Sequence, residues 1–171
     1  MNLYVVLYLP TPASTRVMEV RRAQKDTFRA SLPVEITIAG SNGVGAFDST
    51  QSLADAYKVV DRIAAQTAPI KTSFGPVVRF PGTDIFALTF EDDGPLRRLH
   101  EKIASSGIRF RTSPHRFTPH CTLRSRSPVT AAEERALLAL RVPGQFTLDT
   151  MSVCGLDRPP VILLHTVPLS A

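Results

Sequence analysis

The chain is poor in the residues that mark secreted, membrane-spanning or metal-dependent proteins. Cys121 and Cys154 are its only cysteines, too few for a disulfide framework, and both stand in apolar, strand-like runs; inert thiols and a reducing cytoplasm are expected. No hydrophobic run approaches the roughly 20 residues of a membrane helix. The apolar opening MNLYVVLYLPTP lacks a basic flank and soon meets Pro10, so it reads as a first strand rather than a leader or a membrane contact. His, Cys and carboxylates are nowhere clustered at zinc-ligand spacing, which leaves a metal without support. A Gly-rich phosphate loop ending in Lys-Ser/Thr is also missing, which argues against ATP-dependent ligation. No cofactor is expected. Fourteen prolines and nine glycines are scattered, and no Ser/Gly or acidic run marks a linker. The 171 residues are therefore expected to form one domain, residues 1–171, with a monomer as the default state.

What is present is positive charge, mostly arginine. Sixteen of the twenty basic residues are Arg. Between Arg97 and Arg126 lie Arg98, Lys102, Arg109, Arg111, Arg116 and Arg124 against a single acid, Glu101. Arginine pairs with phosphate in a planar, bidentate manner, so this segment favours phosphate-bearing ligands. A solvated basic face serving solubility explains the same charge without a ligand.

The apolar pattern predicts strands over Leu3–Leu9, Val34–Ala39, Val77–Phe80, Ile85–Phe90, Phe117–Leu123, Phe146–Val153 and Val161–Val167. Helical spacing marks Ser52–Gln66, and Pro95–Gly107 starts with a first-turn proline and stops at glycine. The stretch after Thr130 opens with a capping box to Glu133. A further helix is expected over Ser14–Phe28. This mixture, without strict βαβ alternation, argues for an α+β fold of antiparallel sheets with helices outside.

Two stretches repeat one another. LPVEITIAGS, from Leu32, and FTPHCTLRS, from Phe117, each carry a proline, an ionisable residue, an apolar one, a threonine and another apolar one. Each follows a helix and a loop, which implies an internal duplication and two lobes related by a pseudo-two-fold axis around a cleft. Alternation along a strand puts Glu35, Thr37 and Ala39 on one face, and His120, Thr122 and Arg124 on one face of the second copy. Val34, Ile36 and Ile38, with Pro119, Cys121 and Leu123, face the other way into the cores. Two hydroxyls and two ionisable groups converging on one cavity suit a phosphodiester. One group removes a proton from the attacking oxygen, the other donates to the leaving oxygen, and the hydroxyls hold the non-bridging oxygens.

These residues resemble the 2H phosphoesterase superfamily, which includes bacterial 2'-5' RNA ligases and RNA cyclic phosphodiesterases and carries two His-x-Thr-x motifs in a two-lobed α+β fold. His120-Cys121-Thr122-Leu123, preceded by Phe117 and Pro119, matches the second motif. Glu35-Ile36-Thr37-Ile38 matches the first in part, with glutamate at the histidine position. The likeness runs from Leu3 to the closing strand at Val161. It implies a metal-independent hydrolase acting on a 2',3'-cyclic phosphate, a 2'-5' phosphodiester or a related nucleotide. His120 is then a proton donor or acceptor, Thr37 and Thr122 are phosphate ligands, and RNA ends or nucleotides are the partners. The alternative is a lapsed enzyme that binds RNA or nucleotides in the same cleft.

Glu35 divides these readings. An ionised carboxylate about 4 Å from a phosphodiester opposes binding by roughly 4 kcal/mol at an effective dielectric near 20. Arg124 and Arg116, near His120 in sequence, are expected to offset it. Glu35 could then be an ionised base, a neutral acid, or a partner of His120 in a closed, inactive site. His115 is a further candidate in the approach to the second motif, and Tyr8, sharing a face with Tyr4, is a candidate to stack on a base. His100 is expected at the surface or half-buried on its helix, and His165 as a structural histidine in the last strand.

Overall fold

A computed structural model describes residues 1–171. Two four-stranded antiparallel sheets form the lobes. The first contains β1 (Leu3–Tyr8), β2 (Glu35–Ala39), β9 (Thr150–Gly155) and β10 (Ile162–Pro168), in the order β10-β9-β1-β2. The second contains β4 (Ile70–Arg79), β5 (Phe86–Phe90), β7 (Cys121–Arg124) and β8 (Gln145–Leu148), in the order β7-β5-β4-β8. Each repeat of the motif thus supplies the edge strand of its own sheet, and these two edges meet along the molecular centre. The helices are α1 (Ala13–Ala23), α2 (Thr27–Ala30), α3 (Leu53–Ala65), α4 (Gly94–Ala104) and α5 (Ala131–Ala139). The expected α+β, two-lobed arrangement is the one observed.

The duplication extends to the hydrogen-bond register. In the first lobe Leu7 pairs with Ile36, Val6 with Thr37 and Val5 with Ala39. In the second, Leu88 pairs with Cys121, Ala87 with Thr122 and Phe86 with Arg124. Both ladders slip by one residue just after the motif threonine, leaving Ile38 in one copy and Leu123 in the other as the extra residue of a bulge. Ile36, Ile38, Cys121 and Leu123 have no exposed surface, as alternation predicts, so the opposite faces of both strands are left for the cleft.

The helices lock the lobes crosswise. From α4, His100 donates Nδ1–H to the Ile38 carbonyl at 2.7 Å, satisfying a backbone group at the first bulge. From α1, Arg21 donates Nε–H to the Thr122 carbonyl at 3.0 Å. His100 is 8% exposed and stacks on Phe117 with ring centres 3.8 Å apart. His100 is therefore buried rather than at the surface or half-buried as expected, because α4 turns this residue onto the edge strand of the other lobe. His165 is structural as expected, bonded through Nε2 to Asp61 at 2.6 Å and stacked on Tyr57.

Several boundaries differ from the sequence pattern. The run Phe146–Val153 is two strands in different sheets, with the chain crossing between lobes at Asp149. β4 begins at Ile70, because Gly75-Pro76 does not end it: the register shift between Phe74 and Val77 absorbs the proline. β7 begins only at Cys121, since Phe117 is taken up by its stack on His100. The helix expected over Ser14–Phe28 is broken at Gln24, and α2 restarts under an Asp26 cap whose side chain accepts Arg29 N–H. Finally, the segments Ser41–Gln51 and Arg109–Arg116, which lie outside every element the sequence pattern marks, pair through β3 (Val44–Phe47) and β6 (Phe110–Thr112). A Cβ on Gly45 would lie 2.8 Å from the Arg111 carbonyl oxygen, so the close approach of this ribbon requires glycine.

Candidate active site

Between the two edge strands opens a cavity of about 770 Å³, lined by Glu35 and Thr37 from β2 and by His120 and Thr122 at β7. Such a volume lies in the range of small-molecule sites. Tyr4, Val6 and Tyr8 of β1 form part of the wall, with Phe80 and Ile85 from the second lobe. The four motif side chains that alternation assigns to one face do share one cavity.

His120 is held in one tautomer. Its Nδ1 lies 2.7 Å from the Thr118 carbonyl oxygen. A carbonyl only accepts, so Nδ1 carries the proton and Nε2 is left with its lone pair. Phe80 packs edge-on to the ring, with centres 5.0 Å apart. Burial, reinforced by the Arg29 charge, holds the imidazole below its ordinary pKa, against the opposing effect of the Thr118 bond. These are the properties of a neutral base.

Glu35 is placed differently. Its side chain retains 18% exposure, and its oxygens lie 4.0 Å from Arg21 Nη2 and 3.8 Å from Arg29 Nη1. Neither distance is a hydrogen bond, and both Arg21 Nη2 and Glu35 Oε2 are buried without a hydrogen-bonding partner. Desolvation raises the carboxyl pKa and outweighs the lowering by the two guanidiniums. Since His120 is bonded to Thr118, and Glu35 faces the arginines, the closed Glu35–His120 pair is not formed.

Arginine does supply the compensating charge, but largely from residues other than those expected. Arg124 is a correction: it has no exposed surface and does not line the cavity. It is bound to Ser127 Oγ, Gln24 Oε1 and the Pro128 carbonyl, with Glu133 at 3.6 Å. The bulge at Leu123 explains it, because one extra residue reverses the side-chain alternation after Thr122. Arg116 and His115 are exposed on the cavity rim, and Tyr8, paired across the ladder with Glu35, lines the wall beside the Cys154 thiol. Burial pushes Cys121 up to about 12 and Cys154 up to about 11, in keeping with inert thiols.

Sequence reading missed Arg21 and Arg29. Arg21 lies in the helix it predicted, with nothing in the helical pattern to mark it as functional. Arg29 lies one residue beyond the predicted helix end; the Asp26-Thr27 capping pair is the signal that would have extended the helical region over it.

The sequence pattern of the 2'-5' RNA ligase superfamily matches residues 9–159. The chain belongs to that superfamily. Among solved structures, TT0787 of Thermus thermophilus is similar with a TM-score of 0.70 at 17% identity, over 99% of this chain and 98% of that one. E. coli LigT in its apo form gives a TM-score of 0.64 at 15% identity, with the same coverage. E. coli LigT complexed with 3'-AMP gives 0.64 at 14% identity, again with the same coverage. At such identities the likeness is one of fold. No curated protein sequence matches the chain. No helix of the chain is long and apolar enough to cross a membrane.

Proposed function

We propose that this protein is a phosphoesterase acting on a 2',3'-cyclic phosphate, a 2'-5' phosphodiester or a related nucleotide, with His120 as general base and Glu35 as general acid. The observation that carries the reading is the opposite displacement of two groups at equivalent positions facing one cavity: Glu35 is pushed up and His120 down. Environments that drive two titratable groups apart in this way sort them into acid and base.

In the step proposed, His120 Nε2 removes a proton from a water molecule whose oxygen bonds to phosphorus. The bond from phosphorus to the leaving ribose oxygen breaks, and the Glu35 carboxyl gives its proton to that oxygen. A cyclic phosphate thereby opens to a phosphomonoester. The imidazolium and carboxylate left behind return to their starting states by proton exchange with solvent. Thr37 and Thr122 offer hydroxyls to the non-bridging oxygens, and Arg29 supplies charge.

A specific observation also favours binding without turnover: two guanidiniums lie within 4.0 Å of Glu35 and favour its ionised form against desolvation. A single comparison separates the readings. A 2',3'-cyclic-phosphate-ended oligoribonucleotide is offered to the wild type, His120→Ala and Glu35→His. Hydrolysis by the wild type that His120→Ala abolishes supports the acid–base pair. A silent wild type with an active Glu35→His variant supports the binding module and overturns the catalytic reading.

A further inference from the structure

At the rim of the cavity the Arg126 guanidinium carbon lies 3.3 Å from the centre of the Phe28 ring. That is the separation of stacked planes, and shorter than most cation–π contacts need to be. Both residues line the cavity, Phe28 half-buried and Arg126 exposed. One side of the guanidinium is therefore covered by the ring and the rest of the group remains accessible.

This pair is fixed from beneath. Asp26 is 2% exposed. Its Oδ1 accepts Arg29 N–H at 2.9 Å, and its Oδ2 accepts the backbone N–H groups of Ser125 at 2.6 Å and Arg126 at 2.9 Å, together with the Ser125 hydroxyl at 3.1 Å. These bonds hold its pKa low despite burial. One buried carboxylate thus joins the short helix bearing Phe28 to the turn bearing Arg126. Arg29 strengthens the junction, with Nε and Nη2 both 3.4 Å from Ser125 Oγ. The same Arg29 stands 3.8 Å from Glu35, so the stacked pair and the proposed reaction centre share one rigid support.

The geometry points to a nucleobase-binding subsite at Phe28 and Arg126, in which a base of the phosphodiester substrate stacks on the aromatic–guanidinium pair. A flat, cationic, partly desolvated surface matches the π-face of any base and the anionic backbone beside it, with little discrimination among bases. This inference rests on the nucleotide reading of the cavity and adds the element that recognises the base. It differs from the expectation for Tyr8, which lies inside the cavity wall beside Glu35 rather than at the rim.

The test uses 2-aminopurine ribonucleoside 3'-monophosphate, whose fluorescence is quenched when the base stacks. The full-length protein is titrated into the probe, with Phe28→Ala, Arg126→Ala and, as a control on exposed α5, Arg135→Ala. Quenching by the wild type and by Arg135→Ala, with affinity reduced roughly 5- to 150-fold in Phe28→Ala and Arg126→Ala, supports the subsite. Absence of quenching in the wild type, or equal affinity in all four proteins, overturns it. Turnover of the 2',3'-cyclic-phosphate-ended oligoribonucleotide is measured separately, with ribose 2',3'-cyclic phosphate as the baseless comparison. A wild type that binds and quenches but turns over neither substrate supports the subsite while removing the catalytic reading. Turnover with no preference for the base-bearing substrate overturns the subsite alone.

Discussion

Arg21 reaches from its helix to the backbone of Thr122, donating Nε–H to the carbonyl at 3.0 Å while having no exposed surface of its own. Its Nη1 donates to the carbonyls of Leu32 and Pro33, just ahead of the other motif strand. One side chain therefore holds both edge strands at a set separation, and its last nitrogen is directed towards Glu35 at 4.0 Å. A buried guanidinium is tolerated here because three carbonyls and a carboxylate share its charge.

Arg21→Met should destabilise the protein by about 3–5 kcal/mol, since it leaves three carbonyls short of a donor and Glu35 less compensated. Urea unfolding of the wild type, Arg21→Met, Glu35→Gln and the double variant measures this. Because the two groups interact, the double variant should lose less than the sum of the single losses. Strict additivity would mean that Arg21 acts on the strands alone and has no coupling to Glu35.

The pH dependence of turnover follows from the two displaced groups. As base, His120 must be neutral, so the acid limb of kcat/KM should fall below its ordinary 6.5, because its pKa is lowered. As acid, Glu35 must be protonated, so the alkaline limb should lie above the ordinary 4.5, because its pKa is raised. The acid limb is thus displaced towards acid and the alkaline limb towards alkali relative to the two ordinary values. Glu35→His should carry the alkaline limb upward and leave the acid limb in place. An alkaline limb unmoved by that substitution would assign it to another group. Stability carries the same signs. Deprotonation of Glu35 destabilises the fold as pH rises through its raised folded value, and protonation of His120 destabilises it as pH falls from 6.5.

Gly43 is connected to His120 through Asn42 and Thr118. Its φ is +73°, and a Cβ there would lie 2.4 Å from the His100 ring and 2.8 Å from Phe117 Cβ. Its N–H also bonds the His115 carbonyl at 2.8 Å. Neighbouring Asn42 accepts Thr118 N–H at 3.4 Å, and the Thr118 carbonyl orients His120. Gly43→Ala combines a strained backbone with overpacking and should lower stability by about 2–4 kcal/mol. In residual folded protein the histidine should lose its single tautomer, which nitrogen NMR of the His120 ring would detect. A variant as stable as the wild type, with its ring signals unchanged, would mean that the loop shifts freely and does not position the histidine.

Much of this architecture was legible in the residues. The repeated Glu35/Thr37 and His120/Thr122 pattern, read with period two, located both edge strands and the four cavity-facing side chains. The capping box at Thr130 is formed, with both reciprocal bonds present. What was hidden depends on contacts between segments distant in sequence. Alternation assigns Arg124 to the cavity, and only the register against Phe86 and Ala87 reveals the bulge that turns it away. His100 looks like one polar residue on an amphipathic helix until β2 supplies the Ile38 carbonyl. The β3–β6 ribbon, VGAF against FRT, is too short for its periodicity to stand out.

Arg29 and Arg124 provide the sharpest contrast between a cation that serves the cavity and one that serves the fold. Arg29 lines the cavity, stands 3.8 Å from Glu35 and bonds Ser125. Arg29→Gln should weaken binding of a 3'-nucleotide by about 10- to 150-fold, the loss of one charge-assisted hydrogen bond. Arg124 is sealed among Ser127, Gln24, Pro128 and Glu133. Arg124→Gln should therefore cost about 2–4 kcal/mol of stability while leaving nucleotide affinity within about twofold of the wild type. Calorimetric titration at a temperature where both variants are folded, paired with urea unfolding, measures the two quantities on the same proteins. Loss of affinity in Arg124→Gln with stability intact would restore the arginine to the binding surface that its place after the motif threonine first suggested. It would also mean that the bulge at Leu123 is not fixed when ligand is bound.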